Sequence, residues 1–517
     1  MEENKALNKD MTDFLLNIKL KDLDKKIIEK NIEKIANKLD DIDIEKDNDK
    51  YAALSCIFGA FLGDSMGSCC EFSSKSDKNH EIIFKIKNGI FAPGEVTDDS
   101  EMAMSAAFAY IDLINEDPLI TQDLIYYYFC VWRTSGPKDI GHATTNALRY
   151  WTPQNFQETK FNYKMVKLQN WDSLANGFLM RISTFITYFY YNNLSYIKET
   201  IESYFKTNRN KTDELTDEMI NLYIKIFDES LKNTEITHPN YENGISSAVF
   251  TLMSLTGMVM KDAKLVYLLF YQISKSQKFI LNFEENKYLD YSLKSVQKKY
   301  NEIIKDIENK NEPSVSINSI GYYMHGFKLS VYFLYKYPEM AENQVSDLYY
   351  KIMCDVCDYG GDTDTNCAIV GAMIGPLIGY KNFNKELFDK FIRFIPEDRC
   401  QFNSAFMYIY VDYLEKKMKE KNETTKENGV SEQKQNNLEE DHLKEDKKEE
   451  TKGKGIFHGI KNLFGKEQSK EKEDKEDKEK KRQKKEEIEK EKKRIKENFK
   501  YTAYKMIKEF LTKEIDI

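Results

Sequence analysis

Two short acidic stretches hold the residues best able to do chemistry. One is Thr97-Asp98-Asp99-Ser100, and the other is Gly360-Gly361-Asp362-Thr363-Asp364-Thr365-Asn366. Each places two carboxylates and neighbouring hydroxyls at the start of a predicted helix. One aspartate is enough to cap a helix, because its carboxylate satisfies free N–H groups and suits the positive end of the dipole. A second aspartate adds repulsion that capping does not explain. Clustered hard oxygen donors are what Mg²⁺, Mn²⁺ or Ca²⁺ require. The Gly360-Gly361 pair lets the backbone turn sharply and approach a ligand.

A third stretch is Gly63-Asp64-Ser65-Met66-Gly67-Ser68-Cys69-Cys70-Glu71-Phe72. It reads either as a glycine-terminated helix and a turn, or as a loop whose Glu71 reaches a site. Other chemistries have weaker support. The chain lacks the G-x-S-x-G elbow of a serine hydrolase. Cys354 and Cys357 form a lone C-x-x-C without two further zinc ligands at sensible spacing, so they read as buried helix cysteines. His142, His238 and His325 have no HExxH or CxxC partner and read as pocket or core residues.

The elements that must position these residues are helical. Apolar residues recur at three- and four-residue spacing over 98–115, 122–133, 174–190, 244–260, 321–335 and 346–358, the mark of amphipathic helices. Asp98 and Glu101 have the spacing of a capping box. Period-two alternation is scarce, so the expected fold is all-α. Residues 195–235 and 276–312 are polar and read as helical or loop insertions without chemistry.

The chain has 517 residues, 32 % of them charged, with a net charge of −9. That charge balance gives no sign of a nucleic-acid binder. All Trp and Cys and most Gly fall between Tyr51 and Tyr413. Residues 1–48 carry an apolar stripe through Leu20, Leu23, Ile27, Ile28, Ile32 and Ile35, read as an amphipathic extension. The body is expected over 49–415, a Lys/Glu-rich tail over 416–500 and an amphipathic helix over 501–517. The tail suits a solvated single helix or disorder, with an apolar island at Gly455–Gly465. The last helix packs on the body or contacts a protein or membrane surface. No apolar segment exceeds about a dozen residues, short of the roughly 20 that a span needs. The first residues lack a signal-peptide core, and the eight cysteines suit a reducing interior. Cytoplasm is the first expectation and nucleus the second.

At these residues the sequence resembles the ADP-ribosylglycohydrolase family. The likeness runs in order through GAFLGDSMGSCCEF at 59–72, GEVTDDSEMAM at 94–104, KDIGHATTNAL at 138–148, NGFLMR at 176–181, THPN at 237–240, GYYMHGFKLSVYFL at 321–334 and GGDTDTNCAIVGAMIGPLIG at 360–379. The resemblance implies an orthogonally packed all-α domain with a two-magnesium centre, for which manganese could substitute. It implies Thr97, Asp98, Asp99, Asp362, Asp364 and Thr365 as metal ligands. Glu71 matches a catalytic glutamate of serine-directed members, and Asp139 an aspartate proposed as base in arginine-directed ones. Gly67, Ser68, Gly141, Asn176, Gly177, Met180, His238 and Gly361 match positions lining the ADP-ribose cleft. Ser100 stands where Thr is commoner, and Pro376 interrupts a helix usually richer in Ala.

The implied activity is hydrolysis at ribose C1″ of ADP-ribosylated serine, arginine or a related conjugate. The alternative is a catalytically weak ADP-ribose-binding scaffold. The intact ligand set argues for the enzyme.

Overall fold

The structure, a computed structural model, describes residues 2–74, 90–113, 120–281, 287–343, 347–439 and 473–517. Its regular elements are helices, and among the described residues β pairing is limited to isolated bridges. The expected all-α class is what the chain adopts. The residues divide into two compact units, 1–415 with 499–517, and 416–498.

The first unit begins with α1 (Glu2–Asn17), α2 (Lys25–Asp41) and α3 (Asn48–Gly67). Next come α4 (Asp98–Leu113), α5 (Thr121–Thr134), α6 (His142–Leu148), α7 (Tyr163–Asn170) and α8 (Ile182–Asn192). The middle holds α9 (Leu194–Thr207), α10 (Asp217–Thr234), α11 (Tyr241–Met260), α12 (Ala263–Lys275), α13 (Gln277–Leu281) and α14 (Lys287–Glu308). It closes with α15 (Met324–Glu342), α16 (Leu348–Asp358), α17 (Thr363–Ile378), α18 (Lys385–Ile392) and the start of α19 (Phe406–Glu439). The second unit holds the rest of α19 and α20 (Glu473–Glu497), and α21 (Thr502–Thr512) returns to the first.

The centre is the antiparallel pair α3 and α17. Both are apolar on nearly all sides and almost wholly buried, as a helix inside a large core must be. Small residues recur every fourth position on both. A Cβ on Gly59 would lie 2.4 Å from the Gly371 carbonyl oxygen, one on Gly63 2.4 Å from that of Cys367, and one on Gly67 2.3 Å from that of Thr363. The backbones therefore touch, and the register 59–371, 63–367, 67–363 sets the end of α3 against the start of α17. Helices α3 and α11 are long and apolar enough to cross a membrane by composition, yet most of each is buried inside the body. They are core helices.

Some expected boundaries move. α3 does not end at Gly63 but runs to Gly67. The helix expected from residue 174 starts at Ile182. Residues 174–178 are instead a short connection whose backbone pairs with 321–323, through Asn176 N to Gly321 O at 2.9 Å and Tyr323 N to Leu174 O at 3.1 Å. The same pairing delays α15 to Met324. Apolar spacing in these stretches records packing of Phe178, Leu179 and Tyr323, not helix. The polar segments read as insertions supply α9, α10 and α14; α9 and α10 pack together and all three reach α11.

The terminal elements close on the body. α1 lies on α5, and α21 lies on α2 and α4. The stripe Tyr504, Ile507, Phe510, Leu511 is buried there, so the last helix packs rather than offering a free anchor. The buried Asn31 amide donates to Phe510 O at 2.8 Å and Lys513 O at 2.7 Å, and its oxygen accepts Ile515 N at 3.0 Å.

In the second unit, α20 carries surface pairs such as Arg482–Glu486 at 3.1 Å, each worth little in water. Its only apolar residues are Ile488 and Ile495, too few for a coiled-coil seam. The apolar island Gly455–Gly465 lies outside the described residues.

Candidate metal centre

α4 and α17 start close together, and α3 ends beside both. Asp64, in the last turn of α3, is fully buried. Its Oδ2 accepts the Ser100 hydroxyl at 2.5 Å and Ser100 N at 3.2 Å, and its carboxylate also takes Thr97 N at 3.0 Å. The N-terminus of α4 is thus capped from another helix. The local capping box expected for Asp98 and Glu101 does not form. Glu101 turns away and accepts Trp132 Nε1 at 2.8 Å, and its other oxygen lies 2.8 Å from Arg399 Nη2.

Freed from capping, the other aspartates gather. Thr97 Oγ1 and Thr365 Oγ1 both donate to Asp99, each at 3.1 Å. Carboxylate oxygens of Asp64, Asp99 and Asp364 lie within 4.8 Å of one another, as do those of Glu71, Asp362 and Asp364. Asp364 belongs to both groups. Asp362 is held by the Asn176 amide, which donates to its Oδ2 at 2.8 Å. Asp98 is buried at the first position of α4 and outside both groups, although the charges of Asp139, Asp64 and Asp362 act on it.

Burial, followed by neighbouring carboxylates, holds the protons of Asp98, Asp99 and Asp364 well above the usual range. Glu71 is pushed up to about 8, by burial first and then by the charges of Asp362, Asp139 and Asp64. Asp64 rises to about 6, where burial outweighs the hydrogen bonds it accepts. So many buried carboxylates without a neutralising partner are unfavourable. A divalent cation removes that penalty, and the oxygen-only donor set is the one hard cations bind. The residues present therefore fit a metal.

The loop carrying Glu71 is tied to the second cluster. Phe72 N donates to Gly361 O at 2.7 Å, and Gly361 N to Ser73 O at 2.9 Å. Gly360 and Gly361 have φ of +70° and +85°, values that glycine alone adopts without strain. Asp139 sits in the half-exposed loop before α6, its Oδ1 accepting Ile140 N at 2.7 Å, and is outside both carboxylate groups.

The residues expected to line a cleft fall in different surroundings. Gly141 is exposed and Ser68 half-exposed. Gly67 is buried against Thr363, whose hydroxyl donates to Gly67 O at 2.7 Å. Asn176, Gly177 and Met180 are buried around a short turn. His238 lies under Gly177, where a Cβ would meet its ring at 2.8 Å. Burial and then Arg181 lower its pKa to about 3, so the ring is neutral. Cys354 and Cys357 are buried on α16, as expected.

Sequence reasoning missed Asp64 as part of the site. The signal was present, because Asp64 is the only carboxylate in the otherwise apolar run from Tyr51 to Gly67.

The sequence model of ADP-ribosylglycohydrolase matches residues 45–393, a stretch that contains the clustered carboxylates and the residues expected to line the cleft, while Arg399 lies beyond it. A curated protein of Acanthamoeba polyphaga mimivirus, named "Putative ADP-ribosyl glycohydrolase", is 26 % identical over 336 residues, covering 63 % of this chain and 86 % of that protein. A solved structure titled "ADP-ribosylglycohydrolase-related protein complex" is similar at 15 % identity and a TM-score of 0.42, covering 72 % of this chain and 99 % of that one. On the matched length and the acidic site within it, the chain belongs to the ADP-ribosylglycohydrolase family.

Proposed function

We propose that this chain hydrolyses the glycosidic bond at ribose C1″ of an ADP-ribosylated serine or arginine, or of a related conjugate, at a centre built for two Mg²⁺ ions. The observation that carries this reading is the pair of carboxylate groups that share Asp364, an oxygen-only donor set of the kind that would hold hard divalent cations. Thr97, Asp98, Asp99, Asp362, Asp364 and Thr365 would hold them, with Mn²⁺ the natural substitute. Bound divalent ions would orient the ribose 2″- and 3″-hydroxyls and polarise a water.

The chain's own residues do the rest. Glu71 is the acid–base group, because its carboxylate reaches the Asp362–Asp364 group. It takes a proton from the attacking water, a role worth about 10²–10⁴-fold. Asp139 contributes negative charge from outside that group. Asn176 fixes Asp362, and Asp64 fixes the backbone of the first cluster. Gly141 offers backbone to the diphosphate, while Ser68 and Gly361, whose N–H groups are already bonded to Asp64 O and Ser73 O, help to line the cleft. Gly67, Gly177, Met180 and His238 shape the cleft wall from beneath.

The test is release of free ADP-ribose from serine- and arginine-modified peptides, with Mg²⁺ and with EDTA. Magnesium-dependent release from one peptide supports the reading and selects the linkage. No release from either, with ADP-ribose still bound, supports the binding-scaffold alternative.

A further inference from the structure

Arg399 lies after the stretch matched to the family, and residues 15–20 lie before it. The two meet. Lys19 and Asp398 form an antiparallel bridge. Leu20 N donates to Glu397 O at 2.8 Å, Arg399 N to Ile18 O at 3.3 Å, and the Gln401 amide to Leu15 O at 3.0 Å. This pairing holds Arg399 in a left-handed conformation, φ +64°, which a long side chain adopts only when its surroundings fix it. From there the guanidinium reaches inward. Its Nη1 donates to Glu101 Oε2 at 2.9 Å, and Nη2 lies 2.8 Å from Oε1. Both side chains are buried. A two-pronged arginine–carboxylate contact fixes orientation as well as distance. Glu101 sits in the first turn of α4, next to Asp98 and Asp99.

We infer that Arg399 is a positioning residue for the metal centre, and that the N-terminal extension acts on that centre through it. The inference rests on the metal reading above. The extension clamps 397–401, the clamp aims Arg399, and Arg399 holds the helix end that presents Thr97, Asp98 and Asp99. Arg399 bonds Glu101 rather than the clustered carboxylates. Residues that orient metal ligands typically contribute 10–100-fold to metal affinity.

The experiment is Mn²⁺ and Mg²⁺ titration of the full chain by calorimetry, with thermal unfolding in parallel. Arg399→Met should weaken binding by roughly 10–100-fold, and Arg399→Lys, which keeps the charge but loses the fork, should fall between. Leu20→Pro provides a second route should Arg399→Met not fold. Leu20 is the first residue of its short helix and Lys19 before it is extended, so proline fits there and removes the N–H to Glu397 together with the half-buried leucine side chain. A loss of up to about tenfold is expected. Asn31→Ala is the control, because it loosens the extension's contact with α21 and not the 397–401 clamp. It should lower the melting temperature and leave metal affinity unchanged.

Wild-type affinity in folded Arg399→Met and Leu20→Pro proteins overturns the inference, as does an equal loss of affinity in Asn31→Ala. A wild-type chain that binds neither ion refutes the metal reading itself, which is a different result from variants that match a metal-binding wild type.

Discussion

Asp64 accepts the Ser100 hydroxyl at 2.5 Å across two different helices. That contact supplies most of the cap of α4, with Thr97 Oγ1 accepting Asp99 N at 3.4 Å as the local part, so the carboxylates of Asp98 and Asp99 are not needed for capping. Asp64→Asn keeps the shape but turns one acceptor into a donor facing the N–H groups of Thr97 and Ser100. It is expected to weaken Mg²⁺ binding by about 10–100-fold. Ser100→Ala leaves the two backbone donors in place and should cost less than about tenfold. Calorimetric titration of both variants checks this, and equal losses would show that the hydroxyl, not the carboxylate, organises the turn.

Asp364 is shared by both carboxylate groups, so Asp364→Ala should empty both. Hydrolysis is expected to fall to the background rate in a protein whose circular dichroism is unchanged. Glu71→Gln should retain metal and lower kcat by about 10²–10⁴-fold. Asp139→Asn should change kcat far less, because Asp139 is outside those groups. If Asp139→Asn proves the more damaging, the acid–base assignment must be exchanged.

The site also dictates a pH dependence. Folding raises Glu71 from 4.5 to about 8 and Asp64 from 3.8 to about 6. The folded chain therefore binds more protons than the unfolded one between these values. Stability of the metal-free protein falls as pH rises through that window. Mg²⁺ needs the deprotonated carboxylates, so its binding strengthens over the same range. The rise in melting temperature on adding Mg²⁺ should be larger at pH 8 than at pH 6. An equal or smaller rise at pH 8 would place the binding elsewhere.

Much of this was legible in the chain. Hard-donor clusters at 97–100 and 360–366 could be read from residue type, and helical periodicity read most elements. The connections at 174–178 and 321–323 were misread, because they bury apolar side chains at helical spacing while pairing their backbones with each other. The fate of Glu101 was also hidden. Its partner Arg399 lies 298 residues away, and local spacing favours a capping box that Asp64 pre-empts. The packed position of α21 was one of two readings, and burial of Phe510 and Leu511 selects it.

The glycine register between α3 and α17 links packing to function. A Cβ on Gly371 would lie 2.1 Å from the Gly59 carbonyl oxygen, a backbone atom that cannot rotate aside. Gly371→Ala gains up to about 1 kcal/mol of helix propensity but must push two core helices apart, and overpacking typically costs about 1–3 kcal/mol. The net expectation is a lower denaturant midpoint. The same displacement separates Asp64 on α3 from Asp364 on α17, two members of one carboxylate group. Metal affinity should fall together with stability, unlike in Asn31→Ala, where only stability changes. A Gly371→Ala protein that is destabilised yet binds Mg²⁺ with wild-type affinity would mean that the α3–α17 register supports the fold without setting the site.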